Sequence, residues 1–304
     1  MRSVTPTGRK DDPTRTGDPR SAIQLHTLRA LDESLPETIR RVADAGFDGV
    51  EFAGRFLESN PEAVRSALET TDTVPVAAHA DLARIEGNVE QIADRCRRVG
   101  CQRVIVPHLS ASHFRTVGRV DSLARRLDDL AERVRNRGLE LSYHTSRHPF
   151  LPLLNGYGLR LPAAAPIPFG FWQTVADGID VTDRRERQSL GRTGLARLVS
   201  QTTDITFELD IGWAAAARYD AGDVLELLGD RCSLVHIADV DRTRRFPPAF
   251  RSVPYGEGVV DVERVLAAVG NADIEWVVYE DDEPADPAEA VQQGKAALAP
   301  FLGG

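Results

Sequence analysis

The 304-residue chain is 42% hydrophobic and 27% charged, long enough to bury a large α/β core. Its composition excludes a collagen-like, disulfide-stapled or wholly disordered protein, and no apolar run reaches the roughly 18 residues that a membrane span needs. A formal net charge of −9 argues against a general nucleic-acid or anionic-membrane surface. Cys96, Cys101 and Cys232 form no zinc or disulfide pattern, which reads as reduced thiols in a cytoplasmic protein. The first residues lack the apolar core of a secretory signal.

Residues 1–20 are polar and rich in Pro, Gly and charge, and read as a disordered tail. From 21 to 304 the chain alternates between short apolar runs and amphipathic helical runs. The strand candidates are 22–28, 49–52, 74–79, 103–108, 139–144, 205–210, 233–239 and 275–280. Several are almost continuously apolar, as strands of a covered parallel sheet are. The helices between them carry start signals. Ser34-Leu35-Pro36-Glu37 has the spacing of a capping box, Asn60-Pro61 and Asp286-Pro287 pair an N-cap with a proline, and Asp261 opens another helix. Eight such units predict a single-domain α/β protein, a (β/α)8 TIM barrel. A doubly wound open sheet is the runner-up, but Arg29-Ala30-Leu31-Asp32 lacks the glycine-rich turn that usually follows its first strand.

One connection is out of scale. About 60 residues separate His144 from Glu208, and the stretch at about 151–187 is apolar, with Phe169, Phe171 and Trp172. It reads as a lid over the site or a contact between copies in a homo-oligomer.

His26, His79, His108, His144, His148 and His236 lie in or just beyond the predicted strands, with Glu51, Asp210 and Glu280 at strand ends. In a (β/α)8 barrel those ends share one rim. A lone strand histidine is more often a bonded core residue, but six of them with three acids would be costly to bury unless a divalent cation satisfied them together. Mixed imidazole and carboxylate donors suit Mn2+, Zn2+, Co2+ or Fe2+ rather than Ca2+.

Four segments carry a family resemblance: Ala45-Gly46-Phe47-Asp48-Gly49-Val50-Glu51, Glu208-Leu209-Asp210-Ile211-Gly212-Trp213, Val235-His236-Ile237-Ala238-Asp239 and Gly256-Glu257-Gly258-Val259-Val260-Asp261. In order and spacing, from about Ala22 onward, they resemble the xylose isomerase-like sugar phosphate isomerase/epimerase superfamily. The resemblance implies one divalent metal ion, Mn2+ first and Zn2+, Co2+, Fe2+ or Mg2+ as alternatives, on His144, Asp210, His236 and Glu280. It also implies that Asp239 orients His236 indirectly, by fixing the loop or by accepting a ring N–H, and that Arg242 contacts substrate. The sequence departs from the family at three places: His144 stands where ketose epimerases carry a basic glutamate, Trp213 where a histidine is common, and Ala238 where many members have lysine.

The chemistry implied is proton abstraction beside a carbonyl of a keto sugar or related polyol, through an enediolate. Glu280 is the first candidate base, with His148 and Glu257 as further proton-transfer groups. His26, Glu51 and His79 are expected to shape the pocket, and Trp213 to offer a wall for a sugar ring. Isomerisation, epimerisation and an inosose-type dehydration share these first steps. A multi-metal nuclease lacks its basic track here, and a non-catalytic sugar-binding barrel is the remaining alternative.

Overall fold

The computed structural model describes residues 17–153, 190–245 and 248–303. Most of the tail and most of the long connection lie outside the described residues, and so does the expectation of a lid or subunit contact there.

Eight parallel strands close into a barrel in the order β1, β2, β3, β4, β5, β6, β7, β10 and back to β1. They are β1 (Arg20–Gln24), β2 (Gly49–Phe52), β3 (Val74–His79), β4 (Arg103–Val106), β5 (Glu140–His144), β6 (Thr206–Asp210), β7 (Cys232–Ile237) and β10 (Trp276–Tyr279). β1 begins inside the segment read as tail, because Arg20 pairs with Trp276 and stacks its guanidinium 4.4 Å from that indole. It also ends at Gln24, so His26 and Leu28 sit on the turn beyond it. β8 (Asp239–Arg245) and β9 (Pro248–Val253) form an antiparallel hairpin outside the barrel. The sequence reading did not anticipate it, because its arginine-rich arms bury little and show no apolar alternation.

The helices start where their caps predict. In α1 (Leu35–Asp44) both the backbone N–H and the hydroxyl of Ser34 donate to Glu37, at 2.8 and 2.6 Å. Asn60 caps α2 (Pro61–Thr71), and Asp286 caps the helix Pro287–Leu298 by accepting from Ala288 and Glu289. Each helix then buries one stripe. On α1 it is Leu35, Ile39 and Val42, and burial of such side chains contributes about 1.5–3 kcal/mol each.

Two layers fill the molecule. The larger apolar core lies between strands and helices, while Ala22, Val76, Ala77, Ile105, Leu234, Trp276 and Val278 form a separate apolar cluster. Side chains two apart on a strand share a face. Ala22 therefore stands below Gln24, Leu234 below His236, and Val278 below Glu280. An apolar plug thus supports a polar layer nearer the C-terminal rim.

Candidate metal centre

Register brings the polar residues of neighbouring strands side by side. His144 pairs with Glu208, and Asp210 pairs with His236. One ligand atom from each of His144, Asp210, His236 and Glu280 lies within 4.8 Å of the others. Nδ1 of His236 is 2.8 Å from Oε2 of Glu280, and Nε2 of His144 is 3.7 Å from Oδ2 of Asp210. The other oxygen of Asp210 accepts the Trp213 N–H at 2.8 Å and so caps the short helix Ile211–Ala216. The Asp210 backbone N–H in turn donates to the Thr145 hydroxyl at 3.0 Å, which fixes the strand end.

A second polar layer holds these rings from below. Glu208 Oε2 lies 2.8 Å from Nδ1 of His144 and 3.1 Å from Nε2 of His79. Glu51 Oε2 lies 2.8 Å from Nε2 of His236 and accepts from Gln24 Nε2 at 2.6 Å. Each imidazole of the upper group thus uses one nitrogen on a buried carboxylate and turns the other toward the cluster, the arrangement that orients metal-bound histidines. His79, His144, Glu208 and His236 also lie close enough to hold a cation, although Glu208 is already within hydrogen-bond distance of Nδ1 of His144 and Nε2 of His79.

The electrostatics fit a cation. Burial raises Asp210 to about 6, against the pull of His144. Burial would also raise Glu280, yet the neighbouring His236 ring brings it down to about 2. Burial would lower His236 and His79, but Glu208 and Glu51 carry His236 well above its ordinary value and His79 to about 10. Three imidazoles thus face four buried or nearly buried carboxylates. His144, Asp210, His236 and Glu280 would hold a divalent ion, whose charge would offset the two carboxylates.

The group opens into a cleft of about 540 Å³, lined among others by His26, His79, His108, His148, Arg147, Trp213, Phe250 and Asp282. Trp213 meets Phe250 edge-on at 6.3 Å, and the Arg147 guanidinium lies 4.9 Å from the Phe250 ring. His108 and His148 stand edge-on at 5.6 Å. Burial, then His108 and Arg147, lowers His148 to about 4.

The remaining sequence candidates fall elsewhere. Glu51 is fully buried beneath the imidazoles and does not line the cleft. Glu257 is exposed on the turn after β9, and Arg242 is exposed on the hairpin with its guanidinium 6.0 Å from Phe250; neither lines the cleft. Of the two roles expected of Asp239, its hydrogen bonds are those of fixing the loop. Its carboxylate accepts the backbone N–H groups of Val240, Gly256, Gly258, Val259 and Val260, and so fixes the turn beyond β7.

Residues 39–301 match the family model described as the xylose isomerase-like TIM barrel. The chain belongs to that family. No curated protein matches it in sequence. Among solved structures, a sugar phosphate isomerase/epimerase from Parabacteroides distasonis shares 15% identity, with a TM-score of 0.69 over 96% of this chain and 100% of that one. An IolI protein with a bound zinc atom shares 14%, with a TM-score of 0.66 over 93% and 98% of the two chains. The 3-keto-D-glucoside 4-epimerase YcjR from E. coli shares 17%, with a TM-score of 0.59 over 92% and 98%. At these identities the likeness is one of fold.

For this member of the xylose isomerase-like family, the sequence reading missed Glu208, Gln24 and Phe250. Glu208 was within reach, since it precedes Asp210 by two residues and must share its face of β6. Gln24 had the same signal two residues above Ala22. Phe250 had none, because the hairpin that delivers it went unseen.

Proposed function

We propose that this barrel is a divalent-metal-dependent isomerase or epimerase acting on a keto sugar or related polyol. The observation that carries the reading is the group of His144, Asp210, His236 and Glu280, two imidazoles and two carboxylates, of which His144 and Glu280 line an open cleft while Asp210 and His236 are buried behind them. Such a donor set suits Mn2+ or Zn2+, with Co2+, Fe2+ and Mg2+ as alternatives. When bound, the ion polarises a substrate carbonyl or hydroxyl and acidifies the adjacent C–H.

The chain's own residues do the rest. Glu208 and Glu51 hold the two imidazoles in one tautomer each, so their free nitrogens present lone pairs to the ion. Asp210 keeps one oxygen on the Trp213 N–H, which leaves the other for the group. Glu280, ionised at neutral pH, reaches the cleft and is placed to take a proton. His148, neutral above about pH 5 and lining the same cleft, is a further proton acceptor or donor, with His108 beside it. Trp213 and Phe250 give a sugar ring an apolar wall.

A dehydratase would use the same residues and differ only in losing a β-hydroxyl from the enediolate. The decisive experiment has two parts. Elemental analysis of the purified protein should find one divalent ion per chain, lost in Asp210→Ala. Incubation in D2O with a panel of keto sugars and inososes should exchange a carbon-bound proton in the wild type and not in the variant. Full metal content and full activity in Asp210→Ala would refute the four-residue site. A metal-loaded wild type that exchanges no proton with any of them leaves the sugar-binding barrel as the better reading.

A further inference from the structure

The cleft has an annex. Leu25, Arg29, Leu35, Thr38 and Arg55 line a further space of about 220 Å³ that adjoins the cleft, with His26, Ala53 and Gly54 lining both. Gly54 is exposed and a β-carbon there would meet nothing within 4 Å, so nothing crowds this shared edge.

The annex offers a ligand almost nothing polar. The Thr38 hydroxyl is spent on the Ser34 carbonyl at 3.1 Å, which leaves its methyl for the wall. Arg29 and Arg55 also line the space, yet their guanidinium groups donate to backbone carbonyls. Arg29 reaches those of His26, at 2.9 Å, and Asp282, and Arg55 reaches that of Glu33. Their alkyl stems complete the wall. A sugar hydroxyl placed against Leu25, Leu35 and the Thr38 methyl would give up water without a replacement partner there, whereas an alkyl or aryl group would gain by burial.

We propose that the substrate carries an apolar substituent, an alkyl or aryl aglycone, which lies in the annex formed by Leu25, Leu35 and Thr38. Its keto sugar ring lies meanwhile at His144, Asp210, His236 and Glu280. This rests on the metal-dependent isomerase reading and adds the substrate class. The two spaces share the edge formed by Ala53 and Gly54, and the aglycone would cross there. The cleft alone is already within the range of about 300–1,000 Å³ that accepts ligands larger than one sugar ring.

The test uses the metal-loaded protein and a sugar whose ketone lies on a ring carbon other than the anomeric one, free and as its methyl, butyl and hexyl glycosides. Deuterium exchange from solvent is followed by NMR. In the wild type kcat/KM should rise by about threefold to fourfold per added methylene until the annex is full. Leu35→Phe should end the rise at a shorter chain, and Leu35→Ala should move it to a longer one. Opposite shifts cannot come from a shared folding defect. A flat series in the wild type, with the unsubstituted sugar turned over, overturns the annex alone. So does a shift of both variants in the same direction, or a carboxyalkyl glycoside that outperforms the alkyl one of equal length. No exchange with any member of the series, metal bound, overturns the isomerase reading and this inference with it.

Discussion

Glu208 places Oε2 2.8 Å from Nδ1 of His144, fully buried and one strand away. The contact decides which nitrogen of His144 faces the cleft, and the same oxygen lies 3.1 Å from His79. One acid that faces no solvent therefore sets the tautomer of one proposed ligand and anchors a cleft residue beside it.

Glu208→Gln tests that role. The amide keeps the volume but no longer neutralises the imidazoles, and metal affinity should fall by roughly 10–100-fold. Competition with a chelator of known affinity measures the change. Unchanged affinity would show that His144 is held by something else.

Gly258 sits against Asp239 so closely that a β-carbon there would lie 2.3 Å from Oδ1 and 2.4 Å from the Val240 carbonyl oxygen. Neither atom is the far end of a flexible side chain, since Asp239 is pinned by its five N–H donors. Gly258→Ala should cost about 1–3 kcal/mol in urea unfolding, as overpacking does. Gly256→Ala, at φ +91 but with only Val262 within 4 Å, tests backbone strain separately from crowding.

His148 makes a prediction about pH. Its folded value of about 4 lies below the ordinary value of 6.5. Between those limits the unfolded chain binds more protons at this residue than the folded one. Its contribution to stability is therefore complete above pH 6.5 and is lost as pH falls toward 4. His148→Gln should flatten that part of the stability curve, measured by urea unfolding at pH 7, 5.5 and 4.5. An unaltered slope would mean that His148 is hydrated in the native state.

Trp213→His restores the residue common in the family at this place. The backbone N–H that caps Asp210 is retained, so metal content should stay at one ion per chain, while the wall facing Phe250 is lost. The expected outcome is a several-fold change in KM that differs between keto sugars. A uniform loss of activity with loss of metal would assign Trp213 to the metal centre instead.

The barrel was legible in the sequence because its causes are local. Alternating apolar runs, the Ser34–Glu37 cap and the Asn60-Pro61 and Asp286-Pro287 starts act over a few residues, and they set the order of strands and helices. Placing His144, Asp210, His236 and Glu280 on one rim followed from that order and from the family resemblance. Tertiary structure alone decided how the polar groups divide. Glu51 and Asp239 look alike in sequence as strand-end acids, yet the first lies under His236 and the second binds a turn. Glu257 and Arg242 do not line the cleft, since Arg242 is exposed on the β8–β9 hairpin and Glu257 on the turn after it. That hairpin, paired from Asp239 to Val253, also brings Phe250 to Trp213 across 37 residues of chain. Such placements depend on register and on close approach between distant segments, which no local pattern encodes.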